Sequence, residues 1–173
     1  MLLLVLMTVI GCAVYYISTT ALASAWFSVD NDTLSFDERN YTGSAELTVP
    51  DTVDGQTVTS VDAYCFQYCD SLTAVTLPGT VEIIEPYAFF DCENLQTVEL
   101  SYGTQIIDYQ AFFSCDRLES IYIPSSVETI DTGAFEDCSS LAHIYYEGTA
   151  EDWTRIYYGE IGSNIQIHYI SNT

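Results

Sequence analysis

Between Asp62 and Glu147 four kinds of residue recur at a step of 23 positions. Phe66, Phe89, Phe112 and Phe135 form one series, and Cys69, Cys92, Cys115 and Cys138 a second. Leu72, Leu95, Leu118 and Leu141 form a third, and Val75, Val98, Ile121 and Ile144 a fourth. A period in the twenties held in phase over four units is the signature of stacked coils, each burying its apolar edge only against its neighbours. The chain is therefore expected to be a solenoid with these residues as its repeating core.

Each unit has the same grammar. Leu72 to Leu77 reads as a strand with Val75 and Leu77 inward and Ala74 and Thr76 outward, by the two-residue side-chain period. Pro78-Gly79 turns the chain, because Pro has no donor for a ladder and Gly tolerates the corner. Val81 and Ile84 run back across the core. Tyr87 to Cys92 is expected to make one helical or 3-10 turn on the convex side, with Ala88 and Phe89 inward. Stacking such units predicts a parallel β ladder on one face.

The ends depart from the period. Residues 26–50 are expected to be an N-terminal cap and first strand, with Leu34-Ser35-Phe36 and Leu47-Thr48-Val49 as short strands about a turn at Asn40 to Ser44. Repeats of period 23 occupy 51–148, the first coil enlarged by a small loop at Asp54-Gly55. Residues 149–173 read as a C-terminal capping coil. There Thr149 is a helix N-cap, Trp153 and Ile156 cover the open end, and Ile165 to Tyr169 is a last strand in phase with Ile144.

Met1 to Val29 carries no charge, Leu2 to Val14 is a dense apolar run, and Ala23-Ser24-Ala25 supplies a small-x-small triplet further on. Residues 1–25 are read as a signal peptide, or as an N-terminal membrane anchor. Val9-Ile10-Gly11-Cys12 also loosely resembles a lipobox. Export is common to all three readings.

Of the 173 residues, 25 are Asp or Glu and three are basic, all arginine, for a net charge of -22. Such a surface repels phosphate backbones and anionic lipid, so no nucleic acid and no membrane contact by the folded domain is expected. Basic proteins, cations and neutral glycans stay open as partners.

The unit L-x-x-V/I-x-L/I-P-x-x-V-x-x-I-x-x-x-A-F-x-x-C, clearest at Leu72 to Cys92 and Leu118 to Cys138, resembles the BspA-like class of leucine-rich repeats. The ends are similar too, in Tyr41-Thr42-Gly43, Leu47 to Pro50 and Asp54-Gly55, and in Tyr145 to Gly148 with Asp152-Trp153. The resemblance implies a right-handed leucine-rich-repeat solenoid of the kind found in exported surface proteins. Those proteins are associated with adhesion and binding of host proteins. Three positions depart from the pattern: Ser101 stands for Pro, Cys65 for Ala and Thr104 for Val or Ile.

The cysteine ladder lacks the C-x₂-C pairs of metal sites. It reads as stacked free thiols acting as small apolar fillers. Asp70, Glu93 and Asp116 also stack, and read as solvated turn residues. With two histidines, His143 and His168, and no activation motif or phosphate loop, the chain is expected to hold no cofactor and not to be an enzyme. Function is placed on the outward strand positions, Thr97 and Glu99, Ser120 and Tyr122, His143 and Tyr145, Gln166 and His168. The expectation is a monomeric, secreted or cell-surface module binding a protein or glycan through these residues. A passive envelope spacer is the alternative, and a cation-binding module a remote one.

Overall fold

The computed structural model describes residues 8–10, 13–15, 25–41, 43–159, 161 and 164–170. Most of the leader read at 1–25 lies outside them; Thr8–Ile10 and Ala13–Tyr15 form a separate antiparallel pair. No helix among the described residues is long and apolar enough to cross a membrane.

Two parallel ladders run the length of the solenoid. The longer strands, Glu46–Thr48, Ala74–Leu77, Thr97–Leu100, Ser120–Ile123, His143–Tyr146 and Gln166–Tyr169, pair in chain order. In the regular coils Val75, Val98, Ile121 and Ile144 are direct register partners, as the period requires. Their side chains and those of Leu77, Leu100, Ile123 and Tyr146 are buried. Tyr145 and Tyr146 part as the alternation predicts, Tyr146 into the core and Tyr145 half outward. The second ladder stacks Ser60–Val61, Ile83–Ile84, Ile106–Ile107, Thr129–Ile130 and Tyr157–Tyr158. Between the ladders lies one apolar core that includes Phe66, Phe89, Phe112 and Phe135 and the leucines Leu72, Leu95, Leu118 and Leu141.

Within that core the phenylalanines form a column. Ring centroids of Phe66–Phe89, Phe89–Phe112 and Phe112–Phe135 lie 4.8, 4.9 and 5.6 Å apart, with planes within 14° of parallel. The first two spacings match the distance between neighbouring strands, and the last is wider at the C-terminal end of the column. Phe89 and Phe112 are therefore held by the coil above and the coil below.

The third side corrects the expectation of a helical or 3-10 turn. Each regular coil instead links tight turns two residues apart, as in Cys65 to Asp62, Gln67 to Tyr64 and Cys69 to Phe66. Left-handed residues recur at Tyr64, Tyr87, Gln110 and Gly133, and at Tyr68, Asp91, Ser114 and Asp137. A helix cannot pass through such positions. Backbone N–H groups point instead to the next coil: Phe66 to the carbonyl of Ala88, Phe89 to Ala111 and Phe112 to Ala134, at 2.7–2.9 Å. This side is thus a third hydrogen-bonded seam.

The cysteines serve that seam. The thiols of Cys92, Cys115 and Cys138 donate to the carbonyls of Phe66, Phe89 and Phe112 at 3.0–3.1 Å. All five described cysteines are free. The Cys138 thiol first, then Cys92 and burial, push the Cys115 pKa up, so Cys115 stays a protonated donor. The filler role is therefore only part of the account. Cys115→Ala is expected to cost about 1–3 kcal/mol because the buried Phe89 carbonyl loses its partner. Cys115→Ser, which keeps a donor, should cost less in urea unfolding. A milder Ala variant would return the thiol to a plain apolar filler.

The three departures are accommodated locally. Ser101, free of the proline ring, donates through both its N–H and its hydroxyl to the Leu77 carbonyl. Thr104 is fully buried, and its hydroxyl is satisfied by the Ser101 carbonyl. Cys65 is half-buried against the core.

At the N-terminus the pairing differs from the hairpin expected between 34–36 and 47–49. Thr33–Phe36 turns back on Phe27–Asp30 through left-handed Asn31 and Asp32, the geometry of a two-residue hairpin turn. The same strand starts the short ladder beside Ser60–Val61, whereas Glu46–Thr48 starts the long one. Phe36 lies 4.9 Å from Phe66 and ends the ring column. Asp54-Gly55 turns a small hairpin, Thr52–Val53 with Gln56–Thr57. At the other end Ala150–Trp153 is a helix with a full capping box between Thr149 and Asp152. Hydrogen bonding by Thr149 holds the Asp152 carboxyl below its usual pKa. Trp153 and Ile156 are buried.

Candidate functional site

The outward residues of the long ladder fall into two rows because the register between regular coils never slips. One row is Ala74, Thr97, Ser120, His143 and Gln166; the other is Thr76, Glu99, Tyr122, Tyr145 and His168. All eight sequence-predicted site residues thus share one face. They do not contribute alike.

Three form a continuous stack. Tyr122 and Tyr145 lie 4.6 Å apart with planes 14° from parallel, and Tyr145 and His168 lie 4.9 Å apart at 20°. Strand spacing sets this distance, so aromatic residues at one outward register position in successive coils come within stacking range. Across the rows, His143 Nδ1 and His168 Nε2 are 3.0 Å apart. One ring donates and the other accepts, which requires at least one neutral imidazole. Thr97, Ser120 and Gln166 share the face without a side-chain hydrogen bond to this cluster.

A groove of about 380 Å³ runs beside the stack where the strands end. Tyr122, Tyr145 and Glu99 form one wall; Tyr102, Glu147 and Ile170, from the coil corners, form the rim. Tyr102 is 71% exposed and the most open aromatic side chain of the described residues. Alternation along strands marked Glu99 and the two stacked tyrosines. The rim lies beyond the strands, where alternation says nothing.

A second aromatic surface lies outside the eight expected positions. On the turn-rich side Tyr64 and Tyr87 stack at 5.1 Å, and Phe90 and Phe113 at 5.5 Å. Tyr64, Tyr68 and Tyr109 are exposed there. The signal was present in the 23-residue steps from Tyr64 to Tyr87 and from Phe90 to Phe113. These residues fall in the segment expected to turn, where strand alternation does not mark a face.

Asp70, Glu93 and Asp116 remain exposed, and Asp116 accepts from the Ser139 hydroxyl at 3.0 Å. Among the described residues no three His, Cys, Asp or Glu side chains gather as metal ligands would.

Coils of this length, a ladder of strands on one face and a Phe–Cys–Leu core define a leucine-rich-repeat solenoid. The chain belongs to the BspA type leucine-rich repeat family, which matches residues 58–170 in six copies. Among solved structures it is similar to a leucine-rich repeat protein of Bacteroides capillosus, at 34% identity and TM-score 0.62. That match covers 72% of this chain and 96% of the other. It also shares the fold of a leucine-rich cell surface protein of Faecalibacterium prausnitzii, at 24% identity and TM-score 0.52. There 79% of this chain is covered but 41% of that one, so the chain spans about two fifths of its length. A leucine-rich repeat protein of Bacteroides ovatus aligns at 22% identity and TM-score 0.54, over 83% of this chain and 34% of the other. No curated protein matches the chain.

Proposed function

We propose that the chain is an exported recognition module that binds a protein or glycan on another cell or matrix surface through its long-ladder face. The observation that carries this reading is the Tyr122–Tyr145–His168 stack, an aromatic strip at the surface beside a groove. Rigid tyrosines supply contact area and a polar tip at low entropy cost, which is why they dominate binding hot spots. The likeness to a leucine-rich cell surface protein of Faecalibacterium prausnitzii supports an extracellular setting. Catalysis is no part of the reading.

The test replaces Tyr122, Tyr145 and His168 together by Ala. Saturable capture of matrix or cell-surface ligand should weaken by on the order of 30-fold or more, the loss of at least one hot spot of about 2 kcal/mol. The thermal midpoint should hold, since these side chains are not in the core. Full capture by the triple variant removes the ladder face from the mechanism. Absence of saturable binding by the parent protein leaves a passive envelope spacer.

A further inference from the structure

The groove beside the aromatic strip carries charge of one sign. Its walls present Glu99 and Glu147 and no basic side chain. The chain's few cations are elsewhere: Arg155 pairs with Glu151 and Asp152 in the C-terminal cap, and Arg117 is bonded to Asn94. Arg39 belongs to the N-terminal 3-10 turn, Glu38–Asn40. Neither groove carboxylate has a cation of its own chain beside it.

The stack itself is incomplete at one end. Tyr122 has one ring face against Tyr145. Its register partner on the other side is Glu99, so the second face turns toward a carboxylate and not toward another ring. A planar cation set over that face adds one further layer to the column. The ring quadrupole attracts it, and a carboxylate at the edge can accept two parallel N–H bonds from a guanidinium. An ammonium is compact and strongly hydrated, and can neither stack nor bind in that forked manner.

We infer that this groove receives an arginine side chain presented by a basic segment of a partner protein. The guanidinium lies on the free face of Tyr122 and pairs with Glu99, while Glu147 and Tyr102 flank it. The inference rests on the ladder-face reading above and narrows it from protein or glycan to cationic protein. The net charge of -22 fits the same partner, because long-range attraction raises the encounter rate with a basic surface.

The probe is a fluorescent Gly-Ser peptide with spaced arginines, beside the same peptide with lysine or with uncharged citrulline. The arginine peptide should bind saturably, the lysine peptide several-fold more weakly, and the citrulline peptide not at all. Glu99→Gln and Tyr122→Leu should each weaken the arginine peptide by about tenfold, the size of a partly desolvated cation–π or charge-assisted contact. Glu82→Gln makes the same charge change at an exposed carboxylate outside the groove, and should leave affinity within about twofold because salt screens distant charge. Equal losses at Glu99 and Glu82 would show bulk attraction alone and overturn the inference, as would citrulline binding as well as arginine. Ligand capture that the triple Ala variant loses and Glu99→Gln keeps overturns the arginine site while the ladder face stands. Capture kept by both variants removes the two together.

Discussion

Phe112→Ala is expected to lower unfolding free energy by about 3–5 kcal/mol, the usual loss for a buried aromatic truncated in a core that cannot collapse around the gap. Phe112 is fully buried in the middle of the ring column, with Phe89 at 4.9 Å and Phe135 at 5.6 Å. Its removal opens two interfaces between coils. Phe135 stacks only on Phe112 and is 7% exposed, so Phe135→Ala should cost distinctly less. In a solenoid each coil is held mainly by its neighbours, and a gap at the centre divides the stack into two shorter halves. Urea unfolding followed by circular dichroism gives both values. A Phe89/Phe112 double-mutant cycle should add a coupling of about 0.5–1.5 kcal/mol. Equal losses at Phe112 and Phe135, with no coupling, would mean that the rings fill space without tying one coil to the next.

The ring column, the core strands and the two outward rows were legible in the sequence for one reason. A residue that recurs at a fixed step and alternates along a strand has its neighbour and its direction settled together, so Val98 must lie on Val75 and Tyr145 on Tyr122. The turn-rich side was not legible. Tyr87 to Cys92 has the composition of a helical turn, and a tyrosine with φ near 60° runs against its own steric preference. What holds it there is hydrogen bonding to the next coil, such as Asp91 to the Phe113 carbonyl, which no local pattern records. The N-terminal pairing failed for a related reason. Phe27–Asp30 falls within the cap read at 26–50, but four residues beside an uncharged stretch carry no turn signal that marks them as a strand. The contact between His143 and His168 is diagonal across the ladder. The sequence placed both rings outward, and their meeting depends on rotamers. The groove rim of Tyr102, Glu147 and Ile170 comes from corners, whose mutual placement follows from how one turn passes over another.

One such corner gives the second large effect. Gly103→Ala should destabilise the protein by on the order of 2–5 kcal/mol, the sum of a backbone forced into a glycine-favoured region and of overpacking against a neighbouring chain segment. Gly103 has φ +131°, and a Cβ there would lie 1.9 Å from the Gly79 carbonyl oxygen. From above it is held by its N–H to Ser126 Oγ at 2.9 Å, a hydroxyl that itself donates to the Thr104 carbonyl at 2.8 Å. The corner can yield neither downward nor upward without breaking a contact between coils. Gly55 is the control, with φ +81° and nothing within 4 Å of its added Cβ. Gly55→Ala should therefore cost only the backbone penalty, about 1–2 kcal/mol. A Gly103 variant no worse than the Gly55 variant would show that close approach at the corner contributes nothing. The corner also sets Ser101 and Tyr102, which border the groove. Where Gly103→Ala still folds, it should weaken arginine-peptide binding while Gly55→Ala does not, because only the first displaces a wall of the proposed site.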